Sequence, residues 1–229
     1  MLTTVMALLL AGHPEAVKAN TEGFRLYQRK ALEPALVLFR RAVSEDDGYA
    51  LAHYNLAATL SRLVTENLCA YLSADEEVLT ELTRAIALDP GRRARALSDS
   101  DFTPRLGTLA FRRLLLQLDD KTSLKRLLEG TTFTSAAGWG SFGNSVNLRL
   151  LPGGKLLLGL RELKEEPFSN AVVDHPGSWT LEGHTLHVRM RRAADKAFSG
   201  EATFDSAEGS LAFPGLGKLV NYLSGACDA

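Results

Sequence analysis

The fold of the N-terminal half is decided by residues 50–90, which read ALAHYNLAATLSRLVTENLCAYLSADEEVLTELTRAIALDP. Apolar side chains recur there at helical spacing in two runs. The first run contains Tyr54, Leu56, Ala57, Leu60 and Leu63, and the second contains Val78, Leu79, Leu82, Ala85 and Ile86. The pattern predicts two amphipathic helices separated by an insertion at residues 65–74. The second helix ends at Asp89, because a residue before proline disfavours the helical conformation.

A related pair of helices precedes this stretch. The first is predicted over residues 15–29, and Pro34 suits the first turn of the second, where its missing N–H is not needed. The second helix carries apolar residues at i, i+1, i+4, i+7 and i+8, namely Ala35, Leu36, Phe39, Ala42 and Val43. The small residues among them predict a close approach of the two helices, with Phe39 filling the space between.

Gly23, Ala35, Phe39 and Ala42 fall where a helix-turn-helix repeat of about 34 residues places its small and large packing residues. Together with residues 50–90, they make the chain similar to the tetratricopeptide (TPR) family over residues 16–90. The resemblance implies a non-catalytic protein-binding function and a partner-binding groove lined by the first helix of each unit. Carried over to this sequence, the groove residues are Asn20, Phe24, Tyr27, Gln28, Tyr54, Asn55, Ala58, Ser61 and Arg62.

Residues 92–119 continue the helical pattern, and a short stack of repeats needs a final helix to cover its open end. This stretch is therefore expected to cap the helical domain, which we place at residues 16–120. After residue 130 the apolar period changes from 3.6 to 2, as in residues 185–190 and 198–205. The expected fold class is α+β with two domains.

The second domain, residues 130–229, is predicted to be a small antiparallel β barrel or rolled meander of five or six strands joined by short turns. Gly177-Ser-Trp179 enters one of its hairpins, and this feature resembles lipocalin-like small barrels. That resemblance implies an alternative function, the binding of a small apolar ligand inside the barrel. An open cavity would favour this alternative, whereas a packed interior would favour interaction through the helices.

Composition excludes several classes of function. Residues 1–120 carry 14 Lys and Arg against 16 Asp and Glu, and residues 121–229 carry 12 against 11. Neither half has the basic excess that binding to a phosphate backbone requires, so nucleic acid is not an expected partner. The expected partner is a protein of unknown identity.

The apolar run at residues 1–12 is too short to span a bilayer. It suits either a secretory signal within residues 1–15, which places the protein in the periplasm or outside the cell, or a buried N-terminal helix of a cytoplasmic protein. Cys69 and Cys227 are the two cysteines, and they form either a disulfide in an oxidising compartment or two separate thiols in a reducing one. The export and pairing hypotheses depend on each other.

Catalytic and metal-binding signals are weak. His184 and His187 lie three positions apart, so on an extended strand their side chains point to opposite faces. No serine lies in a nucleophile elbow, and residues 215–218 lack the strand and helix that a phosphate-binding loop needs. We therefore expect no metal, no cofactor and no enzymatic activity. The predicted function is protein interaction or scaffolding in a bacterial cell envelope.

Overall fold

The computed structural model describes residues 12–71, 74–119, 123–135, 146–164, 169–191, 197–214 and 217–221. The chain divides into two compact units, one ending at Arg105 and the other beginning at Leu106. The first is helical, and the second carries a closed antiparallel β barrel. The expected α+β architecture with two domains is therefore confirmed. Cys227, residues 1–11 and the loop around Trp139 lie outside the described residues, as does the side chain of Cys69.

The helical unit is built from two long helical hairpins followed by a short helix. Its α-helices are α1 (Pro14–Gln28), α2 (Leu32–Glu45), α3 (Ala50–Glu66), α4 (Ala74–Leu88) and α5 (Gly91–Ser98). Short 3-10 turns at Leu68–Tyr71 and Thr103–Gly107 accompany them. Helix α1 packs mainly against α2, and α3 packs mainly against α4, as the two runs of apolar residues predict.

Small residues set the spacing of the first hairpin. Ala35, Phe39 and Ala42 on α2 are completely buried. An added Cβ at Gly23 on α1 would lie 3.0 Å from the ring of Phe39, so no larger side chain fits without movement of that ring. Interiors packed at this density resist a change of even one methylene group. The predicted close approach of the two helices is therefore present.

His53 joins three parts of the helical unit. Its buried ring on α3 places Nδ1 2.5 Å from a carboxylate oxygen of Glu81 on α4 and Nε2 3.0 Å from the carbonyl oxygen of Asp47. Burial alone would lower the pKa of His53, but its hydrogen bonds to Glu81 and Asp47 outweigh burial and raise the pKa. When it is protonated, the ring can donate to both oxygens and connects α3, α4 and the turn after α2.

The second unit begins with two short helices and continues as eight strands. Its helices are α6 (Leu109–Leu116) and α7 (Leu124–Leu128). Its strands are β1 (Thr131–Ser135), β2 (Val146–Leu151), β3 (Lys155–Lys164), β4 (Ser169–Glu182), β5 (Thr185–Arg191), β6 (Ala197–Asp205), β7 (Ser210–Phe213) and β8 (Gly217–Val220). Every strand pairs antiparallel with its sequence neighbour, and β1 pairs with β8 to close the barrel. The sequence predicted fewer strands, because β1, β7 and β8 are short.

The domain boundary differs from the one expected near residues 120–130. Leu109 on α6, Leu118, and Leu124, Leu127 and Leu128 of α7 belong to the same buried cluster as the barrel side chains. Residues 106–119 therefore belong to the second unit, whose core includes Leu109 and Leu118.

The interior of the barrel is filled by apolar side chains. Trp179 is buried among them, and its indole N–H donates to the carbonyl oxygen of Leu151 at 3.1 Å. Phe133 and Phe204 pack edge to face with ring centroids 6.4 Å apart. Among the described residues, the interior of the barrel is therefore lined by large apolar side chains.

Asn221 ties the end of β8 to the start of the unit. Its side-chain oxygen accepts from the Leu109 N–H at 2.6 Å. Its amide nitrogen donates to the carbonyl oxygens of Gly107 and Thr132, at 3.1 and 2.7 Å. One side chain thus joins the entry to α6, β1 and β8, next to the β1–β8 closure. No helix among the described residues combines the length and the apolar character that a membrane span requires.

Candidate functional site: the groove between α1 and α3

The residues that the TPR resemblance assigns to a groove lie on α1 and α3, which meet through a pair of asparagines. The Asn55 amide nitrogen donates to the side-chain oxygen of Asn20 at 2.8 Å. Asn20 is buried, and so are Ala58 and Ser61 further along α3. These residues form the floor of the groove and are not accessible to a partner in this conformation.

The exposed Phe24 and the partly buried Tyr27 and Arg62 form a cluster beside these residues, which we call the rim. Phe24 is 44% exposed, and its ring stacks on that of Tyr27 with centroids 6.2 Å apart and planes 10° apart. The guanidinium carbon of Arg62 lies 5.5 Å from the centre of the Tyr27 ring, within the range of a cation–π contact. Arg62 Nε also donates to Glu66 at 2.8 Å. Gln28 is exposed at the end of α1.

A segment of the same chain occupies the rest of the groove. Residues 99–105, which we call the docked turn, read DSDFTPR and follow helix α5. The Tyr54 hydroxyl donates to the Asp99 carboxylate at 2.8 Å, and the Tyr27 hydroxyl donates to the Asp101 carboxylate. Ser61 donates its hydroxyl proton to the backbone carbonyl of Asp101 at 2.5 Å. Predicted groove residues therefore hold a peptide segment with two carboxylates.

Phe102 fixes the centre of the docked turn. Its side chain is 0% exposed and meets the Tyr54 ring at an edge-to-face distance of 5.6 Å. Tyr54 is itself 5% exposed, and Arg92 lies over its ring at 5.7 Å. Tyr54 is therefore covered by the chain itself and is not free to contact a partner.

Arg105 ends the docked turn in a buried position. Its Nε donates to the Ser61 hydroxyl at 3.0 Å and its Nη2 to the Ser61 carbonyl at 2.7 Å. Its Nη1 lies 2.9 Å from a carboxylate oxygen of Asp75 near the start of α4. A buried guanidinium needs such partners, because an unpaired buried charge is strongly unfavourable.

Burial and hydrogen bonding keep the groove phenols protonated. Burial and the bond to Asp101 raise the pKa of Tyr27 to about 12. Burial and the bond to Asp99 raise the pKa of Tyr54 still further above its usual value. Burial also raises the pKa of Asp101, against the effect of the Tyr27 hydrogen bond. Near neutral pH both phenols therefore act as donors, and the groove is built to accept carboxylates.

The residues of the docked turn were not predicted as functional. Asp99 and Asp101 meet their tyrosines across 45 and 74 positions of sequence, so no local pattern marks these contacts. The one available signal is the break between the helical runs at residues 99–104, where acidic residues flank a small residue and precede an aromatic.

Histidines of the barrel do not come together as a metal site. His187 lies on the outer face of β5, with Nδ1 3.2 Å from Glu201 and Nε2 3.7 Å from Glu182, and His184 lies in the preceding turn. Among the residues described, no cluster of three or more His, Cys, Asp or Glu side chains could hold a metal ion. Comparisons with protein-family models, with characterised proteins and with solved structures gave no match to this chain. The TPR and lipocalin-like assignments therefore stay predictions from the residues.

Proposed function

We propose that this chain is a non-catalytic protein–protein interaction or scaffolding module that uses its TPR-type groove. The observation that supports this proposal is the docked turn. Side chains of α1 and α3 bind carboxylates, an aromatic ring and a backbone carbonyl of a peptide segment. A helical groove can make the same kinds of contact with a protein partner, and the rim lies beside them.

The rim gives the most direct test, because Phe24 is exposed and Arg62 keeps part of its side chain accessible. We expect the double change Phe24→Ala with Arg62→Ala to reduce capture of the partner from the native host at least tenfold, equivalent to ~1.4 kcal/mol. Val37→Ala is the matched control, since Val37 is another exposed apolar residue, 68% accessible on α2. Capture is measured with immobilised full-length chain, and melting temperatures establish that the variants are folded.

The two variants separate the outcomes. Failure of the rim variant to capture the partner, with full capture by Val37→Ala, would support partner binding at the groove. Equal capture of the partner by wild type and the rim variant would show that the partner does not bind the helical groove.

The proposed compartment is the bacterial cell envelope. It rests on the apolar run at residues 1–12 and on the hypothesis that Cys69 and Cys227 form a disulfide, which would close a long loop and stabilise the chain by ~2–4 kcal/mol in the chain-entropy account. Thiol titration of denatured, unreduced protein from its native host is the test. We expect no free thiol. Two free thiols would exclude the disulfide and favour a cytoplasmic location.

A second candidate function is the binding of a small, mostly apolar ligand by the barrel. The observation that favours it is His175, a buried residue that pairs with the inward-facing Leu158. Among the described residues, its ring Nε2 has no hydrogen-bond partner, and such buried polar atoms usually have one. A ligand hydroxyl or carboxyl group would satisfy this atom.

Displacement of a fluorescent apolar probe by a medium-chain fatty acid tests this second function. Wild type should bind the fatty acid, and His175→Leu should bind it at least tenfold more weakly, since an unmade hydrogen bond to a buried charged or polar group costs ~1–3 kcal/mol. His187→Leu on the outer face is the matched control. Absence of binding to the wild-type chain would leave the barrel as a packed structural unit.

A further inference from the structure

The docked turn has the properties of a bound ligand. Residues 99–105 lie between α5 and α6, outside either α-helix. Their main attachments are side-chain contacts with the groove: two phenol–carboxylate hydrogen bonds, one buried ring and one buried guanidinium.

Hydrogen bonds within the docked turn also stabilise its conformation. The Asp101 N–H donates to the side-chain oxygen of Asp99 at 3.1 Å, and the Phe102 N–H donates to the Asp99 carbonyl at 3.1 Å. Such Asx-type turns form locally, because an aspartate oxygen bonds the backbone two residues on. A short peptide of this sequence should therefore form the same turn, which is the conformation that the groove binds.

We propose that the docked turn is an internal occupant of the groove, and that the groove recognises the same chemistry in a partner protein. That chemistry is an Asp-x-Asp-Phe turn, in which two carboxylates flank one residue and an aromatic follows directly. The partner's turn displaces the chain's own. This inference rests on the proposed function and names the class of segment that the groove binds.

The charges around the groove favour an acidic occupant. Arg62 lies on the rim, and Arg92 lies over the ring of Tyr54. Tyr27 and Tyr54 present hydroxyl donors to the two aspartates. Burial, and to a smaller extent the charge of Glu66 at the end of α3, raises the pKa of Asp101, while Glu66 itself pairs with Arg62 at 2.8 Å. Asp99 and Asp101 therefore find donors, and a basic or purely apolar segment would leave these phenols without acceptors.

A covalently attached occupant competes strongly with any added segment. A short connection gives an effective concentration in the millimolar range, so the wild-type chain should bind a free peptide weakly. Weakening the internal turn should expose the same groove, with Tyr27, Tyr54 and Ser61 unchanged. Substitutions that weaken the docked turn should therefore increase the affinity of the groove for an added peptide.

The test uses a fluorescein-labelled peptide of sequence SDSDFTPR, which corresponds to residues 98–105, and the full-length chain. In the variant Asp101→Ala with Phe102→Ala, we expect peptide affinity to rise at least tenfold over wild type. A matched peptide with alanine in place of phenylalanine should not bind. Adding Tyr54→Phe to the variant should lower affinity severalfold by removing the donor to Asp99.

Fluorescence anisotropy measures each affinity, and circular dichroism establishes that each variant is folded. A variant that binds the peptide no better than wild type, or that binds the control peptide equally well, would overturn the proposal. If that result came with loss of partner capture by the rim variant, the groove would still be a binding surface but would recognise a different segment.

Hydrogen exchange of the wild-type chain gives a second test that needs no variant. The N–H groups of Phe102, Thr103 and Arg105 donate to carbonyls within the docked turn, so their exchange is measurable. A displaceable occupant should open without unfolding the helices, and these amides should exchange at least tenfold faster than those in the centre of α3. Exchange of both sets at one common rate would show an integral core element and overturn the proposal.

Discussion

Ala42 is enclosed on every side at the interface of the first helical hairpin. It is completely buried in a cluster with Ala19 and Ala52, against which Val43 and Tyr49 also pack. A side chain with only one methyl group lets neighbouring helices approach, so the identity of this residue fixes the distance between them. The packing residues that the sequence pattern selected are therefore the ones that set the geometry of the unit.

Overpacking at this position should be costly. We expect Ala42→Trp to lower the free energy of unfolding by ~1–3 kcal/mol or more, because its large ring has no space in the buried cluster. Val37→Trp is the matched control, since it places the same ring on the exposed face of the same helix. Urea denaturation compares the two variants. Equal midpoints would contradict the assigned packing faces of α2.

Tyr54 contributes a hydroxyl group as well as a ring. We expect Tyr54→Phe to keep the edge-to-face contact with Phe102 but to lose the hydrogen bond to Asp99. Since hydrogen bonds to charged groups contribute ~1.5–3 kcal/mol and Asp99 is half-exposed, the loss in unfolding free energy should lie near the lower value. Thermal melting measures it. A variant as stable as wild type would show that this bond contributes nothing to holding the docked turn.

At the scale of elements, the helices were more predictable than the contacts between them. Repeated apolar spacing located α1 to α4, because each long helix must bury one face. Turn residues at 152–154 and 182–184 located the β2–β3 and β4–β5 hairpins for a similar local reason. The short strands β7 and β8 have four residues each, too few to show a period. The docked turn depends on pairs distant in sequence, which a single sequence does not indicate.

The ion pair between α3 and α4 makes stability depend on pH. The pKa of His53 is raised above 6.5 in the folded chain, so folding binds this proton more tightly than the unfolded chain does. Its stabilising contribution is complete below pH 6.5 and is lost as the pH rises through the folded-state pKa. Glu81, Asp47 and the Arg84 that pairs with Asp47 surround the ring.

Removing the partner of His53 should remove this dependence. We expect wild type to lose more stability than Glu81→Gln as the pH rises from about 6 to 8, because the variant lacks the carboxylate that raises the pKa of the ring. Glu77→Gln is the matched control, since Glu77 pairs with Arg40 at the surface of the same helix. Melting temperatures across this range are compared. Parallel profiles for wild type and Glu81→Gln would contradict the assignment.

At the scale of the whole molecule, each unit has its own means of closure. The helical unit places its docked turn in the groove between α1 and α3, and the β unit closes its barrel between β1 and β8. Among the residues that the structure describes, the β1–β8 register comprises two pairs, Thr134 with Val220 and Ser135 with Leu219. We therefore expect closure to depend on Asn221, which immediately follows β8.

A small change at Asn221 tests this dependence. Asn221→Asp keeps an acceptor for the Leu109 N–H but loses both donors, to Gly107 and Thr132. We expect a loss of ~1–3 kcal/mol, because carbonyl groups lose their partners and a charge is placed beside them. Asn147→Asp is the matched control on the partly exposed side of β2. Hydrogen exchange should accelerate in β1 and β8 for the first variant only, and unchanged exchange there would exclude this role.

The enclosed indole of Trp179 gives the two units separate optical signals. Of the two tryptophans in the chain, Trp179 lies in the barrel core, and Trp139 lies outside the described residues. A shift of the Trp179 emission to longer wavelength during denaturation therefore reports the opening of the barrel, while far-ultraviolet ellipticity is dominated by the helices. Denaturing one sample and recording both signals reveals whether the units unfold in one cooperative transition or in two.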